Sequence, residues 1–336
     1  ANNPRKILEI GVASGGTTAV ILKCLEEMGQ QAEMFSVDIS CKWYRDGSKE
    51  TGFLVNKMEN IGENIQHKFL LGNSIPYYMD EIGTEIDFLL LDTAHSLPGE
   101  LLDFLVCFPY LKDGCIVVLH DVAENVLTGR PIENATKLLF DIVKAEKYYI
   151  LDADKLPCGI SNIAAFKIDE ETRRRIGDIF SALANPWGYF LNSEDEGKYL
   201  DILGQNYGNE YVCYFKKIIN MQKYFASEKI VNQHYGNGLM TLRTKWENQE
   251  RVYLYGAGYY AQHYLNFAQQ YNLPIDGIVI SDNQEMTTRE INGINVYRMS
   301  ELEHSDKNSF FILALDRKYW RMIVLNLKYR GFYNIF

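Results

Sequence analysis

Ile7-Leu-Glu-Ile-Gly-Val-Ala-Ser-Gly-Gly-Thr17 is the stretch whose reading decides the fold. Ile7 to Gly11 has the length and apolar character of a buried strand, and Thr17 to Met28 places Val20, Ile21, Cys24, Leu25 and Met28 at helical spacing. A strand that passes through a tight glycine turn into a helix opens a βαβ unit. The alternation then repeats. Met34–Asp38 reads as a strand ending in an acid, followed by a helix near 50–61 and a strand His67–Leu71. Pro76 suits the first turn of a short helix. Ile86–Asp92 is apolar at consecutive positions, as a central parallel strand should be, and leads to a helix over 97–111, a strand Cys115–His120 and a helix over 132–145. Tyr148–Leu151 and Ser161–Lys167, around a turn at Lys155–Gly159, close the set at seven strands. Right-handed crossovers make this a doubly wound α/β sheet.

From Glu170 to about Trp246 the strand signals stop, and the Tyr-rich segment reads as helices. At Arg251-Val-Tyr-Leu-Tyr-Gly-Ala-Gly-Tyr-Tyr-Ala261 the strand-turn-helix signal returns. It is followed by strands at 275–280, 294–297 and 310–315, a helix over 319–329 and a last short strand Tyr333–Phe336. The expected organisation is therefore a first α/β domain over 1–168, a helical connector over 169–246 and a second, smaller Rossmann-like α/β domain over 247–336.

With 336 residues, 47% of them hydrophobic, the chain can fill two cores. Thirty-four basic against 44 acidic residues give a net charge of −10, which argues against a nucleic-acid partner. Arg173-Arg174-Arg175 reads as a solvated helix face. No apolar run is long enough to span a bilayer and no signal-peptide pattern opens the chain, so no membrane association and a cytoplasmic location are the expectation. Only six residues precede the first strand, so an upstream extension is expected. The cysteines at 24, 41, 107, 115, 158 and 213 show no paired ligand spacing and read as reduced core residues.

Ligands of a doubly wound sheet bind beyond the carboxyl ends of its strands. Gly11–Gly16, Asp38, Gly72-Asn73-Ser74, Asp92–His95 and His120-Asp121 all fall there. The glycines permit a sharp turn and close approach of a ligand, and Asp38 is placed to accept hydrogen bonds from a ribose diol. Gly11-x-x-x-Gly15 is neither the dinucleotide fingerprint nor a P-loop, so a nucleoside without pyrophosphate fits better.

Glu9-Ile-Gly11-Val-Ala-Ser-Gly15 with Asp38 resembles the S-adenosylmethionine site of class I methyltransferases, over roughly residues 5–168. The resemblance implies S-adenosylmethionine as cofactor, held by Glu9, Gly11, Gly15, Asp38 and Asp92, with Asn73 and Ser74 near the adenine. Asp92-Thr-Ala-His95 and Leu111-Lys-Asp-Gly-Cys-Ile-Val-Val-Leu-His120-Asp121-Val are similar to the branch of catechol and macrolide-sugar O-methyltransferases and cephalosporin-hydroxylase-like proteins. That branch implies a divalent metal on Asp92 and Asp121 and a small-molecule or sugar substrate carrying the accepting hydroxyl. The sequence departs from it beside Asp121, where the neighbours are His120 and Val122. His120 would complete a metal set of Asp92, His120 and Asp121 for a softer ion than Mg2+, or act as a base. His95 and His120, with Asp92, are the catalytic candidates, because imidazole titrates near neutral pH. Either histidine would equally well cap its loop or hydrogen-bond a carboxylate.

Gly256-x-Gly258-x-x-Ala261 with Asp282 after the next strand has the form of a dinucleotide fingerprint. It makes a nucleotide at the C-terminal domain a candidate ligand, and an NAD- or nucleotide-sugar-binding protein or a non-catalytic assembly module the rival readings. No Tyr-x-x-x-Lys accompanies it. Trp187, Tyr189, Tyr199, Tyr207 and Tyr211 in the connector suit a sugar ring, a helical core or the interface of a homo-oligomer.

Overall fold

The computed structural model describes residues 3–336 except 59–61, 151–160, 237, 287 and 303–306. The chain divides into two compact units, Ala1–Ile218 and Ile219–Phe336, so the 169–246 segment is shared between them.

The first unit carries β1 (Lys6–Ile10), β2 (Ala32–Asp38), β3 (Ile65–Leu71), β4 (Ile86–Leu91), β5 (Leu111–His120), β6 (Glu146–Tyr148) and β7 (Ile163–Lys167). They form one sheet in the order β3-β2-β1-β4-β5-β7-β6. The first five are parallel, and β7 runs antiparallel to both β5 and β6. Strand order reverses between β1 and β4, which puts the switch point at the ends of those two strands. Ile7, Leu8, Leu89, Leu91, Val117 and Leu119 are completely buried along this centre, each stabilising the fold by about 1.5–3 kcal/mol relative to exposure. Crossovers are made by α1 (Gly16–Glu27), the short α2 (Met79–Ile82), α3 (Gly99–Cys107), the short α4 (Glu124–Leu127) and α5 (Ala135–Ile142).

Three expectations are corrected here. On α1 the buried face is Thr18, Leu22 and Leu25, with Ile21 partly buried beside it, whereas Val20, Cys24 and Met28 are exposed. Cys24, Cys41 and Cys213 are exposed, leaving Cys107 and Cys115 as the core cysteines among the described residues. No α-helix forms over 50–58; a single 3-10 turn, Val55–Lys57, stands there. Gly52 adopts φ +76°, and a Cβ on it would come within 2.4 Å of the Phe69 ring, so the chain must turn where periodicity suggested a helix. Leu151, Cys158, His304 and the turn at 155–159 lie outside the described residues.

The helical stretch comprises α6 (Glu170–Arg174), α7 (Ile176–Ala182), α8 (Ser193–Tyr207), α9 (Asn209–Tyr235) and α10 (Leu239–Glu247). Its aromatics divide: Phe180, Tyr199, Phe215 and Trp246 are buried, whereas Tyr189, Phe190, Tyr214 and Phe225 are exposed. Tyr199 is buried with its hydroxyl donating to Asp103 Oδ1 at 2.7 Å, Tyr207 donates to the Leu105 carbonyl at 2.7 Å, and Tyr211 packs on Phe180. Arg173, Arg174 and Arg175 pair with Asp113, Glu171 and Asp178 on the surface.

The second unit holds β8 (Val252–Tyr255), β9 (Gly277–Ile280), β10 (Glu290–Ile291), β11 (Ile294–Arg298) and β12 (Phe310–Leu313) in the order β10-β11-β9-β8-β12, with α11 (Tyr259–Tyr271) and α12 (Trp320–Tyr329). The expected strand at 333–336 is reduced to an isolated bridge between Ile335 and Phe311. No helix among the described residues is long and apolar enough to cross a membrane.

Candidate functional site

The glycine turn is shaped by the backbone it leans on. Gly11 has φ +93°, and a Cβ there would lie 1.7 Å from the Asp92 carbonyl oxygen; Gly15 has φ +82°, and its Cβ would lie 2.7 Å from Gly52 Cα. Only glycine meets both demands. Asp38, at the end of β2, fixes the turn from the side. Its Oδ2 accepts from the amides of Val12 (2.9 Å) and Ala13 (3.0 Å), and Oδ1 from the amide of Ser40 (2.9 Å). The segment after β2 completes the frame, the Gly52 and Leu54 amides donating to the carbonyls of Ala13 and Ser14. Asp38 thus already holds the loop, with lone pairs to spare for a diol.

Beneath the turn Glu9 is fully buried. Its Oε2 accepts from Thr18 Oγ1 and Ser36 Oγ, both at 2.7 Å, while Oε1 has no partner. Burial pushes its carboxyl up to about 7, against the two hydroxyl donors. Ser36 Oγ also meets His67 Nε2 at 3.0 Å. Burial depresses His67 to about 4, so a neutral ring donates Nε2–H to Ser36 while Ser36 donates to Glu9.

Asn73 and Ser74 follow β3. The Asn73 amide donates to the Tyr78 hydroxyl at 3.3 Å, and the Ser74 hydroxyl donates to Asp195 Oδ1 on α8 at 2.8 Å.

At the ends of β4 and β5 the structure gathers Asp92, His95, His120 and Asp121. His95 Nε2 lies 3.2 Å from Asp121 Oδ2, and His120 Nδ1 lies 3.2 Å from Asp121 Oδ2 and 3.4 Å from Asp92 Oδ1. Among the described residues, the three whose ligand atoms all fall within 4.8 Å of one another are Asp92, His95 and Asp121. His95 is the imidazole of that triangle, and His120, named from the sequence, stands within 3.4 Å of both aspartates. The reason is local: the loop after β4 folds His95 back over the strand ends, whereas His120 terminates β5 beside them.

Two residues that the sequence reading passed over hold this arrangement. Glu100, near the start of α3, is completely buried and places Oε1 3.2 Å from His95 Nδ1. Asn162, just before β7, donates from Nδ2 to Asp121 Oδ1 at 2.5 Å and accepts the Ala123 amide at 3.0 Å on its own Oδ1. It thereby steadies Asp121 at φ +60°, a backbone conformation that few non-glycine residues adopt. Glu100 stands five residues beyond His95, so a one-turn helix test would have missed it; Asn162 is found only through the antiparallel register that pairs His120 with Ile163.

The charges decide protonation. Glu100 is the chief reason that His95 is raised to about 9, with Asp121 and Asp92 helping and burial opposing. Asp121 and Asp92 raise His120 to about 10. Burial pushes Asp121 up, but His120, Asn162 and His95 outweigh it and hold it below the ordinary range. Both imidazoles therefore carry a proton at neutral pH unless another cation enters the cluster, which corrects the expectation that they titrate near neutrality.

In the second unit Gly256 has φ +119°, and a Cβ on it would come within 2.5 Å of the Ala314 carbonyl oxygen, so sheet packing alone demands that glycine. Asp282 accepts from the Ser300 amide and from Arg330 Nη2, at 2.8 and 2.9 Å. His234 donates to the Leu315 carbonyl and accepts from the Tyr264 hydroxyl, both at 2.9 Å, consistent with a structural role.

Residues 8–122 match the model of a family described as a methyltransferase domain. No curated protein sequence matches the chain. Solved structures with a similar fold include the S-adenosylhomocysteine-bound methyltransferase PaMTH1 of Podospora anserina, at 15% identity and TM-score 0.36 over 50% of this chain and 73% of that one. Spermidine synthase of Thermotoga maritima matches at 15% identity and TM-score 0.31 over 65% and 68%. CmcI with magnesium and S-adenosylmethionine matches at 14% identity and TM-score 0.31 over 50% and 66%. Likenesses this distant say nothing of an acceptor.

Proposed function

We propose that the first unit transfers the methyl group of S-adenosylmethionine to a hydroxyl of a sugar or another small hydroxylated metabolite. The observation that carries this reading is the cluster Asp92, His95, His120 and Asp121, set at the strand ends next to the glycine turn. S-adenosylmethionine supplies an electrophilic methyl group on a sulfonium, and a divalent ion would add a fixed positive charge for the accepting oxygen. The chain's residues do the remainder. Gly11 and Gly15 let the turn pack against the Asp92 carbonyl and Gly52, where a Cβ would collide, and Asp38 keeps the turn in that shape.

The donor set suits a divalent ion: two carboxylates and one imidazole converge, and the Nδ1 atoms of both histidines lack an aligned hydrogen bond. Asp92, His95 and Asp121 would hold it. Transfer is an in-line displacement, so orientation and removal of one proton are what the protein must provide. His120, beside both aspartates, would be the group to take the hydroxyl proton, given a bound cation that lowered its own proton affinity.

Isothermal titration of the full chain with S-adenosylmethionine, NAD and a nucleotide sugar tests the reading. Binding of the first is expected; a chain that bound only NAD or the nucleotide sugar would overturn it.

A further inference from the structure

Glu100 presents a problem that methyl transfer alone does not solve. A carboxylate with no solvent exposure ordinarily collects several donors, because an isolated buried charge is costly. Here neither oxygen accepts an aligned hydrogen bond, and the group facing it is His95 Nδ1 at 3.2 Å. The same ring turns Nε2 toward Asp121, at 3.2 Å, within the triangle that Asp92 completes. A histidine gripped at Nδ1 by a buried carboxylate can present only Nε2 to whatever lies on its other side. That is the arrangement by which proteins fix the tautomer of a metal-ligating histidine.

We propose that Glu100 is a positioning residue that holds His95 with Nδ1–H toward the protein and the Nε2 lone pair toward Asp92 and Asp121, so that the site selects a first-row transition ion over Mg2+. This rests on the reading above that the cluster holds a divalent ion. The chemical reason lies in the donors. Mg2+ favours oxygen and retains its waters, whereas Mn2+, Co2+ and Zn2+ accept imidazole alongside carboxylate. The loop carrying His95 is held at further points: Thr93 Oγ1 donates to Asp103 Oδ2 on α3 at 2.9 Å, and the Ala135 amide of α5 donates to the His95 carbonyl at 2.8 Å.

The test is direct binding, without turnover. The full chain is titrated with CoCl2, MnCl2 and MgCl2 by calorimetry, and the visible spectrum of the Co2+ form is recorded. Co2+ should bind at least about tenfold more tightly than Mg2+ and develop ligand-field bands. Glu100→Gln, nearly isosteric and neutral, should weaken Co2+ binding by about 10- to 100-fold and alter those bands, with a smaller effect on Mg2+. His95→Gln should abolish the preference, and a His95→Gln chain that kept it would overturn the proposal even if Glu100→Gln did not fold. Wild-type Co2+ affinity in Glu100→Gln, or a wild-type preference for Mg2+, would overturn it while leaving the divalent-ion reading intact. A wild-type chain that bound none of the three ions would overturn both.

Discussion

Gly11 sits directly against the Asp92 carbonyl, the two backbones approaching so closely that a Cβ on residue 11 would fall 1.7 Å from that oxygen. The glycine turn and the end of β4 are therefore one packed contact. Gly11→Ala must either separate β1 from the end of β4 or force a positive φ on alanine, at a cost of at least 1–3 kcal/mol, by order of magnitude about that of a strained backbone residue. The expected result is a lower melting temperature together with loss of S-adenosylmethionine binding; a variant that melted and bound as wild type would refute the contact.

Asp38→Ala leaves the amides of Val12, Ala13 and Ser40 without their acceptor. Two of these belong to the glycine turn, so the turn should loosen. Affinity for S-adenosylmethionine should fall by about tenfold or more, with a stability loss of about 1–3 kcal/mol if the freed amides stay buried. Calorimetry and urea denaturation measure the two effects separately.

Glu9 makes stability depend on pH in a definite direction. Its folded value of about 7 stands above the ordinary 4.5, so its contribution is complete below pH 4.5 and is lost as pH rises through 7. The loss amounts to about 3 kcal/mol by order of magnitude. His67 runs oppositely, because its folded value of about 4 lies below 6.5 and stability falls as pH drops through that interval. Glu9→Gln should therefore gain stability relative to wild type between pH 5 and pH 8, with the difference growing toward pH 8. Thermal melts of both proteins at the two pH values decide it.

Asn162→Ala would leave Asp121 Oδ1 and the Ala123 amide without a partner. The freed groups cost about 1–3 kcal/mol, and Asp121 loses the support that accompanies its unusual backbone. Methyl-transfer rate should drop more than S-adenosylmethionine affinity, because Asn162 supports the acceptor side of the cluster. Equal losses in both would assign it a merely structural part.

The sequence carried the seven strands of the first unit, with bounds that differ by up to four residues, because consecutive apolar strands, a glycine turn and a strand-end acid are local signals. It also brought Asp92, His95, His120 and Asp121 to one edge, since each ends a strand or follows one. That His95 joins His120 against the aspartates was not legible, because it depends on how the loop over 92–98 folds back. Glu100 and Asn162 were hidden for a related reason: one reaches the site across a loop, the other across an antiparallel pairing of strands. On α1, the residues Val20 and Met28 misled because periodicity gives the spacing of a face and not its rotation. Asp282, placed like a ribose acceptor, proves to be held by Arg330 and the Ser300 amide, a partnership formed over 48 positions of chain.

The hydroxyl of Tyr199 on α8 meets Asp103 Oδ1, and Thr93 meets the other oxygen of the same carboxylate. Burial has raised Asp103 to about 6, so it depends on those two donors. A chain ending at 168 would contain every strand of the seven-stranded sheet, yet it would lack Tyr199 and hand Asp103 back to solvent, one residue contact away from the loop of Asp92 and His95. Residues 93, 103 and 199 thus tie α8 to the loop that carries Asp92 and His95.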